Sequence, residues 1–238
     1  MKTVEQYIED NNLDGVVDKI DDFGPEETNK EPIGPREEFI DLLRSIDREG
    51  AKIEELISLL DASDFFYAPA STRYHNAFPG GLVDHCLNVY KNLVSIVHNK
   101  RLKYDPDSLK IVALLHDMSK MNYYETSVKN VKTYCEDGDR FDEIGKFKWD
   151  SVKIYSVRQV PNKFVFGSHE QASAFMVRQY IPLTLEEECA ILHHMGGHGD
   201  IVGSADLTEI FNTYNLVILL HVADELSTFV DERLIYGE

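Results

Sequence analysis

The chain has 238 residues, enough for one large domain, and 43% of them are hydrophobic, a proportion that supplies an ordinary globular core. It carries 42 acidic and 24 basic residues, which gives a formal net charge of −18. Proteins that bind a nucleic-acid backbone need clustered lysine and arginine, so this balance argues against a polynucleotide partner. A small phosphorylated substrate would be less affected in a site where metal ions set the local field.

Residues 1–35 differ in composition from the rest of the chain. They hold ten acidic and three basic residues, and their last part, DDFGPEETNKEPIGP, contains three prolines. We predict a short helical piece over 4–20 followed by a linker. We therefore interpret residues 1–35 as an acidic N-terminal extension and residues 36–238 as the main domain.

The main domain reads as mostly helical. Asp107 or Ser108 can cap the predicted helix DSLKIVALLHDMSK, and Thr184 begins a capping-box pattern at the predicted helix LTLEEECAILHHM. The stretch ASDFFYAPASTRYHNAFPGG, between the predicted helices AKIEELISLLD and LVDHCLNVYKNLVSIVHNK, is predicted to be a loop because of its prolines and its glycine pair. Seven segments carry apolar residues three and four positions apart, as on one face of a helix: REEFIDLLRSIDREG, AKIEELISLLD, LVDHCLNVYKNLVSIVHNK, DSLKIVALLHDMSK, SHEQASAFMVRQYI, LTLEEECAILHHM and LTEIFNTYNLVILLHVADELSTFVDE.

The middle of the chain changes character. The segments VKTYCEDGDRF and FKWDSVKIYSV mix β-branched and aromatic residues around polar turns that contain glycine. Such a pattern is typical of a small β-hairpin, which we place at about residues 130–160. The predicted fold class is therefore all-α, a helical bundle with a small β-hairpin insertion.

The three cysteines, Cys86, Cys135 and Cys189, are odd in number and far apart, so neither a disulfide framework nor a zinc knuckle is indicated. No apolar run approaches transmembrane length, and the first residues lack the apolar core of a signal peptide. We expect a cytoplasmic protein with no membrane partner. The sequence does not indicate an oligomeric state.

Two aspartates lie where an aspartate is costly. Asp117 directly follows the apolar run IVALLH, and Asp224 lies within LVILLHVADELSTF. A buried carboxylate needs a partner, and a metal ion is one. Because a carboxylate has two oxygens, Asp117 could bridge two cations about 3.5–4 Å apart while the adjacent His116 binds one of them.

Other predicted helices carry further candidate ligands. His85 lies one turn into its helix, His169 opens a later helix and His194 closes the next one. Helical bundles build metal centres in this way, with side chains from several helices directed to one place.

The order H…HD…H…H…D on successive helices resembles the HD superfamily of metal-dependent hydrolases. The local segments APASTRYHNAFPGGLVDHCLNVY, ALLHDMSKMNYY, AILHHMGG and HVADELST look like the small HD-domain hydrolases of bacteria, prophages and phages. Ordered from Tyr67 to Thr228, they span roughly two thirds of the chain. The combination is specific to the superfamily and much less specific about the substrate.

The resemblance implies an HD-domain helical bundle with a dinuclear centre. One ion would be held by His85, His116 and Asp224, and the other by His169 and His194, with Asp117 between the two. The adjacent His193 is the alternative to His194, which we favour because it directly precedes MGG. Ligands of nitrogen and oxygen fit Mn, Fe, Co, Ni, Zn or Mg, and the sequence does not choose among these divalent ions.

The implied activity is that of a phosphohydrolase. A metal-activated hydroxide would cleave a phosphoester bond of a nucleotide or other small phosphorylated substrate. Asp117 and Lys120 would be the catalytic residues, and Lys120, Arg73 and His75 would contact the substrate. The alternative for Lys120 is a solvated lysine past a helix end, and for Arg73 and His75 it is an ordinary surface position.

Three other functions remain compatible with parts of the pattern. An HD-type di-iron oxygenase uses nearly the same ligands. A 3′–5′ exonuclease shares the GGL-x-x-H and H-H-x-G segments, although the acidic residues 1–35 are a poor nucleic-acid-binding domain. A non-catalytic module is disfavoured because all six ligand positions are filled.

Overall fold

Helices make up most of the chain that the computed structural model describes, which is residues 35–73, 75–158, 168–198 and 204–232. The helical piece predicted for 4–20 lies outside these residues. The helices and strands, in chain order, are α1 Pro35–Arg44, α2 Ile53–Ala62, α3 Gly81–Asn99, α4 Pro106–Leu115, β1 Tyr124–Tyr134, β2 Arg140–Phe141, β3 Lys146–Val157, α5 His169–Val177, α6 Leu185–Leu192, α7 Ser204–Thr213 and α8 Asn215–Leu226. Short 3₁₀ turns lie at Met118–Lys120 and Gly196–His198.

The core is built around α3 and α4. Helix α3 buries the stripe that its sequence pattern predicts, namely Leu82, Cys86, Val89, Leu93 and Val97. Helix α4 buries every residue from 111 to 115. A helix that is apolar on all sides is stable only when other elements surround it, and α1, α3 and α6 pack against α4. The helix ends that carry the candidate ligands therefore lie inside the protein.

Helix α4 begins earlier than the sequence suggested. The capping residue is Asp105, whose carboxylate accepts a hydrogen bond from the backbone N–H of Asp107. Pro106 occupies the first helical position, where its fixed φ suits a helix and its missing N–H is not needed. The prediction of Asp107 or Ser108 as the cap is therefore wrong.

The capping box predicted at Thr184 is confirmed. Its hydroxyl accepts from the N–H of Glu187 at 3.2 Å, and the Glu187 carboxylate accepts from the N–H of Thr184 at 2.7 Å. The same carboxylate, fully buried, forms an ion pair with Arg48 at 2.7 Å. This pair fixes the start of α6 to the segment after α1.

The long C-terminal helix of the prediction is broken. Tyr214 has an extended backbone, and α8 starts anew at Asn215. The N–H of Leu216 at this new start donates to a carboxylate oxygen of Glu186 at 3.1 Å. After α8, the turn Ser227–Asp231 widens to a π-helix. Neither Tyr214 nor Asn215 disfavours a helix strongly, so the apolar pattern gave no sign of the break.

The sheet is larger than the hairpin that the sequence predicts. β1 and β3 pair antiparallel from Tyr124 opposite Val157 to Tyr134 opposite Phe147, and β2 adds a short third strand beside β3. Most of β1 is exposed, and this explains why its apolar alternation is weak. The described chain is thus helix-dominated with a small antiparallel sheet, and the description as all-α with a hairpin is too narrow.

Among the residues that the structure describes, no helix combines the length and the apolar character that crossing a membrane requires.

Candidate metal centre

Six side chains from five parts of the fold converge at one place. The set contains three overlapping groups of three residues, and within each group all ligand atoms lie within 4.8 Å of one another. The six comprise one residue of α3, two that follow α4, the first of α5, one that follows α6 and one of α8, namely His85, His116, Asp117, His169, His194 and Asp224. These are the six candidate ligands of the sequence analysis.

Asp117 lies at the centre of this cluster. Its Oδ1 atom is 3.5 Å from Nε2 of His169 and 3.7 Å from Nε2 of His194. Its Oδ2 atom is 3.5 Å from Nε2 of His116 and 3.7 Å from Nε2 of His85. Each carboxylate oxygen therefore faces its own pair of imidazole nitrogens, an arrangement that suits a carboxylate shared between two cations.

Several polar atoms of the cluster have no hydrogen-bond partner within the described residues. They are Nε2 of His116, His169 and His194, and Oδ1 of Asp117, and all are buried. Leaving such an atom unpaired costs about 1–3 kcal/mol, and more for a charged group. Cations bound on the two sides of Asp117 would satisfy these atoms, so the residues present fit a metal centre.

The backbone orients two of these imidazoles. His116 and His194 each follow the end of a helix, where the last carbonyl groups have no partner within the helix. Nδ1 of His116 lies 2.9 Å from the carbonyl of Ala113, and Nδ1 of His194 lies 2.8 Å from that of Ile191. Because Nδ1 donates to these carbonyls, Nε2 of each ring is left as the free acceptor that a metal needs.

The choice between the two adjacent histidines falls on His194. It is fully buried and belongs to two of the candidate groups, whereas His193 is half-buried and belongs to none. The backbone beyond His194 is also fixed, since its carbonyl accepts a hydrogen bond from Nδ1 of His221 at 2.8 Å. A structural role for His221 explains its place beside the cluster.

Gly196 makes this contact possible. Its φ of +55° is in the left-handed region, and a Cβ there would lie 2.7 Å from the His221 ring. We expect Gly196→Ala to lower the free energy of unfolding by about 1–3 kcal/mol, because backbone strain is added and the His221 hydrogen bond is displaced. Thermal unfolding checks this. Gly197→Ala is the control, since a Cβ there meets nothing within 4 Å; equal losses in both variants would contradict the explanation.

A second glycine pair positions His85. Gly80 has a φ of +86°, and a Cβ on Gly81 would collide with the backbone carbonyl of Asn76. The loop before α3 can therefore close onto the start of that helix only with glycine at this point. The sequence FPGG thus places His85, one turn later, next to the loop that carries His75.

The cluster contains neutral bases and permanent charges. Burial lowers the pKa of His169 to about 4 and that of His194 to about 3, so both rings are neutral near pH 7. Burial opposes ionisation of Asp117 as well, but nearby Lys120 and His116 outweigh it and hold its pKa well below the usual value. His85 is the exception, because hydrogen bonds to carboxylates overcome burial and raise its pKa to about 10.

Lys120 is not a solvated lysine. Its Nζ atom lies 2.6 Å from Oδ2 of Asp117 and donates to the carbonyl of Ala70 at 3.1 Å. The side chain is 14% exposed, and the ion pair with Asp117 outweighs the effect of burial and raises its pKa. Lys120 thus supplies a fixed positive charge at the inner edge of the site.

A cavity of about 370 Å³ opens at the cluster. Thr228 and Phe229 contribute to its lining from the π turn. His75 and Lys120 line it together with four of the six predicted ligands, namely His85, Asp117, His169 and Asp224. The ring of His75 is 5.0 Å, centroid to centroid, from that of His85. Arg73 is exposed and is not among the lining residues, so the structure brings His75 to the site but not Arg73.

Sequence reasoning missed two acidic residues. Glu170 is buried, with Oε2 3.3 Å from Nδ1 of His169. Glu232 is also buried, with Oε2 3.1 Å from Nδ1 of His85. The sequence offered a weak signal for Glu170, since an acidic residue in the first turn of a helix is usually read as a helix-dipole partner. It offered none for Glu232, which only the widened turn brings back to the cluster.

Comparisons with protein-family models, with curated proteins and with solved structures found no match for this chain. What the described residues establish is a buried cluster of histidine and aspartate side chains that could hold metal.

Proposed function

We propose that the chain is a metal-dependent phosphohydrolase of the HD type that cleaves a phosphoester bond of a nucleotide or other small phosphorylated substrate. The observation that carries the proposal is the set of buried nitrogen and oxygen atoms around Asp117 that lack a hydrogen-bond partner among the described residues. A structural cluster would satisfy such atoms internally, whereas a metal centre leaves them for the ion.

The two oxygens of Asp117 suggest two ions. His85 and His116 face Oδ2, and His169 and His194 face Oδ1. Divalent ions held there would lower the pKa of a water molecule and offset the charge that develops on phosphoryl oxygens. The nitrogen and oxygen donors fit Mn, Fe, Co, Ni, Zn or Mg.

Lys120 and His75 would act on the substrate from the wall of the cavity. The Lys120 ammonium keeps Asp117 ionised and adds positive charge where a phosphate would bind. Burial, with the neighbouring charges of His85 and Lys120, lowers the pKa of His75 to about 4, so its ring is neutral. Its buried Nδ1 has no partner among the described residues, which leaves it able to hydrogen-bond an oxygen of the substrate.

The size of the cavity favours a small substrate. Its volume of about 370 Å³ falls in the range of about 300–1,000 Å³ that is usual for small-molecule sites. The net charge of −18 also opposes the approach of a polynucleotide, which needs an extended basic surface. Both observations support a nucleotide over a nucleic-acid strand.

The proposal is tested by a panel of substrates and metals. Nucleotides, cyclic nucleotides and bis(p-nitrophenyl) phosphate are incubated with the metal-stripped protein and Mn²⁺, Co²⁺, Ni²⁺ or Fe²⁺. We expect release of phosphate or nitrophenol that requires added metal and stops with a chelator. If no substrate is cleaved with any of the metals, the proposal is wrong. Dioxygen consumption by the iron-loaded protein without phosphate release would favour the di-iron oxygenase instead.

A further inference from the structure

His85 contacts a carboxylate through each of its ring nitrogens. Its Nε2 atom is 3.2 Å from Oδ1 of Asp224, which belongs to the candidate ligand set. Its Nδ1 atom lies 3.1 and 3.2 Å from the two carboxylate oxygens of Glu232, which does not. His85 is 1% exposed and Glu232 is 6% exposed, so this contact is removed from solvent.

The partner of Nδ1 in His85 differs from the partners of Nδ1 in two other candidate ligands. His116 and His194 direct Nδ1 to backbone carbonyls, which are neutral acceptors. A carboxylate is a stronger acceptor, and a hydrogen bond to it makes the opposite ring nitrogen a better electron donor. Of these three imidazoles, His85 therefore has the most strongly donating Nε2 toward the cluster.

The backbone deviates from an α-helix where it delivers Glu232. Glu232 lies eight positions after Asp224, and in a regular α-helix the two side chains would point about 80° apart. The turn Ser227–Asp231 is instead π-helical, with the N–H of Glu232 donating to the carbonyl of Ser227 at 2.9 Å. Widened turns of this kind occur often at functional sites.

The π turn is also hydrogen-bonded to α3, the helix that contains His85. Asn92 donates to Oγ of Ser227 at 2.9 Å and to Oδ2 of Asp231 at 2.7 Å. Asn88 donates to Oε1 of Glu232 at 3.0 Å. These bonds hold the Glu232 carboxylate in one position, with one oxygen shared between Asn88 and His85.

We propose that Glu232 is a positioning residue for the metal centre: it fixes the ring of His85, directs Nε2 toward the cluster and strengthens cation binding on that side of Asp117. The inference rests on the proposed metal-dependent function. In this proposal, the π turn and the two asparagines of α3 hold Glu232 in place beside His85.

The test measures Mn²⁺ binding to the full chain, stripped of metal, by isothermal titration calorimetry at pH 8. We expect Glu232→Ala to raise the dissociation constant of one of the two binding steps by about 10–100-fold, the usual range for such a partner of a metal ligand. Glu232→Gln keeps an oxygen that can accept from Nδ1 but loses the charge, so its loss should be smaller, and the second binding step should change little in both variants.

Asp231→Asn is the matched control. It removes one negative charge from the same turn but keeps a side-chain oxygen that can accept from Asn92, so the hydrogen bond between the π turn and α3 is retained, and the exposed Asp231 contacts no candidate ligand. We expect its Mn²⁺ affinity to stay within about twofold of the unaltered protein. If the unaltered protein binds Mn²⁺ and both Glu232 variants match it, the positioning role is overturned while the proposed function stands. If the unaltered protein binds none of the metals, the proposed function fails and this inference with it.

Discussion

Replacing Asp117 with alanine should abolish the binding of both proposed cations and reduce turnover at least about a thousandfold. The two oxygens of Asp117 face two separate pairs of imidazoles, so its removal takes a ligand from each half of the cluster. Loss of a single preorganised electrostatic group in an active site already costs about 10²–10³ in rate, and here two cations would be lost. Metal content after dialysis and kcat/KM with bis(p-nitrophenyl) phosphate measure the two effects.

Loss of activity in this variant has a second possible origin, which a further variant separates. Without Asp117, the ammonium of Lys120 is left buried with no carboxylate at 2.6 Å, and an unpaired buried charge destabilises a fold by about 3–5 kcal/mol. The double variant Asp117→Ala/Lys120→Met removes both charges and should recover most of the thermal stability. It should still bind no metal, and recovery of metal binding or turnover in it would contradict the role given to Asp117.

The ligand set is the part of the site that sequence reasoning reaches most directly. Asp117 and Asp224 follow or interrupt apolar helices, and the cost of burying a carboxylate points to a partner whatever the details of packing. The histidines at helix ends are equally visible, because the position of His116 and His194 relative to the last helical turn follows from the sequence pattern. The structure brings all of these side chains to one place.

Other features depend on how the backbone departs from ideal geometry. From the sequence, Glu232 is interpreted as a residue on the polar face of an amphipathic helix. Only the π turn brings it to His85. The break at Tyr214 is similar, since it depends on a tertiary hydrogen bond from Leu216 to Glu186 rather than on local propensity. In the sheet, exposure of both faces weakens the alternation by which strands are recognised.

The affinity for the cation on the His85 side of Asp117 should rise steeply with pH, by about tenfold per pH unit, and so by about a thousandfold between pH 6 and pH 9. In the metal-free cluster, burial lowers the pKa of His85, but its hydrogen bonds to Asp224 and Glu232 outweigh burial and raise it to about 10. The ring therefore carries two protons throughout this range, and a cation that binds Nε2 must displace one of them. Each proton released on binding makes the apparent affinity tenfold weaker for every unit that the pH falls.

The other imidazoles with lowered pKa values add nothing to this slope. The pKa of His169 is about 4 and that of His194 about 3, so both are already neutral at pH 6 and give up no proton to a cation. The Mn²⁺ dissociation constant at pH 6, 7, 8 and 9 measures the slope, and the binding enthalpy in buffers of different ionisation enthalpy counts the released protons. One proton should be released in the binding step on the His85 side of Asp117. A dissociation constant for that step that does not change from pH 6 to pH 9 would mean that His85 does not use Nε2 to hold the metal.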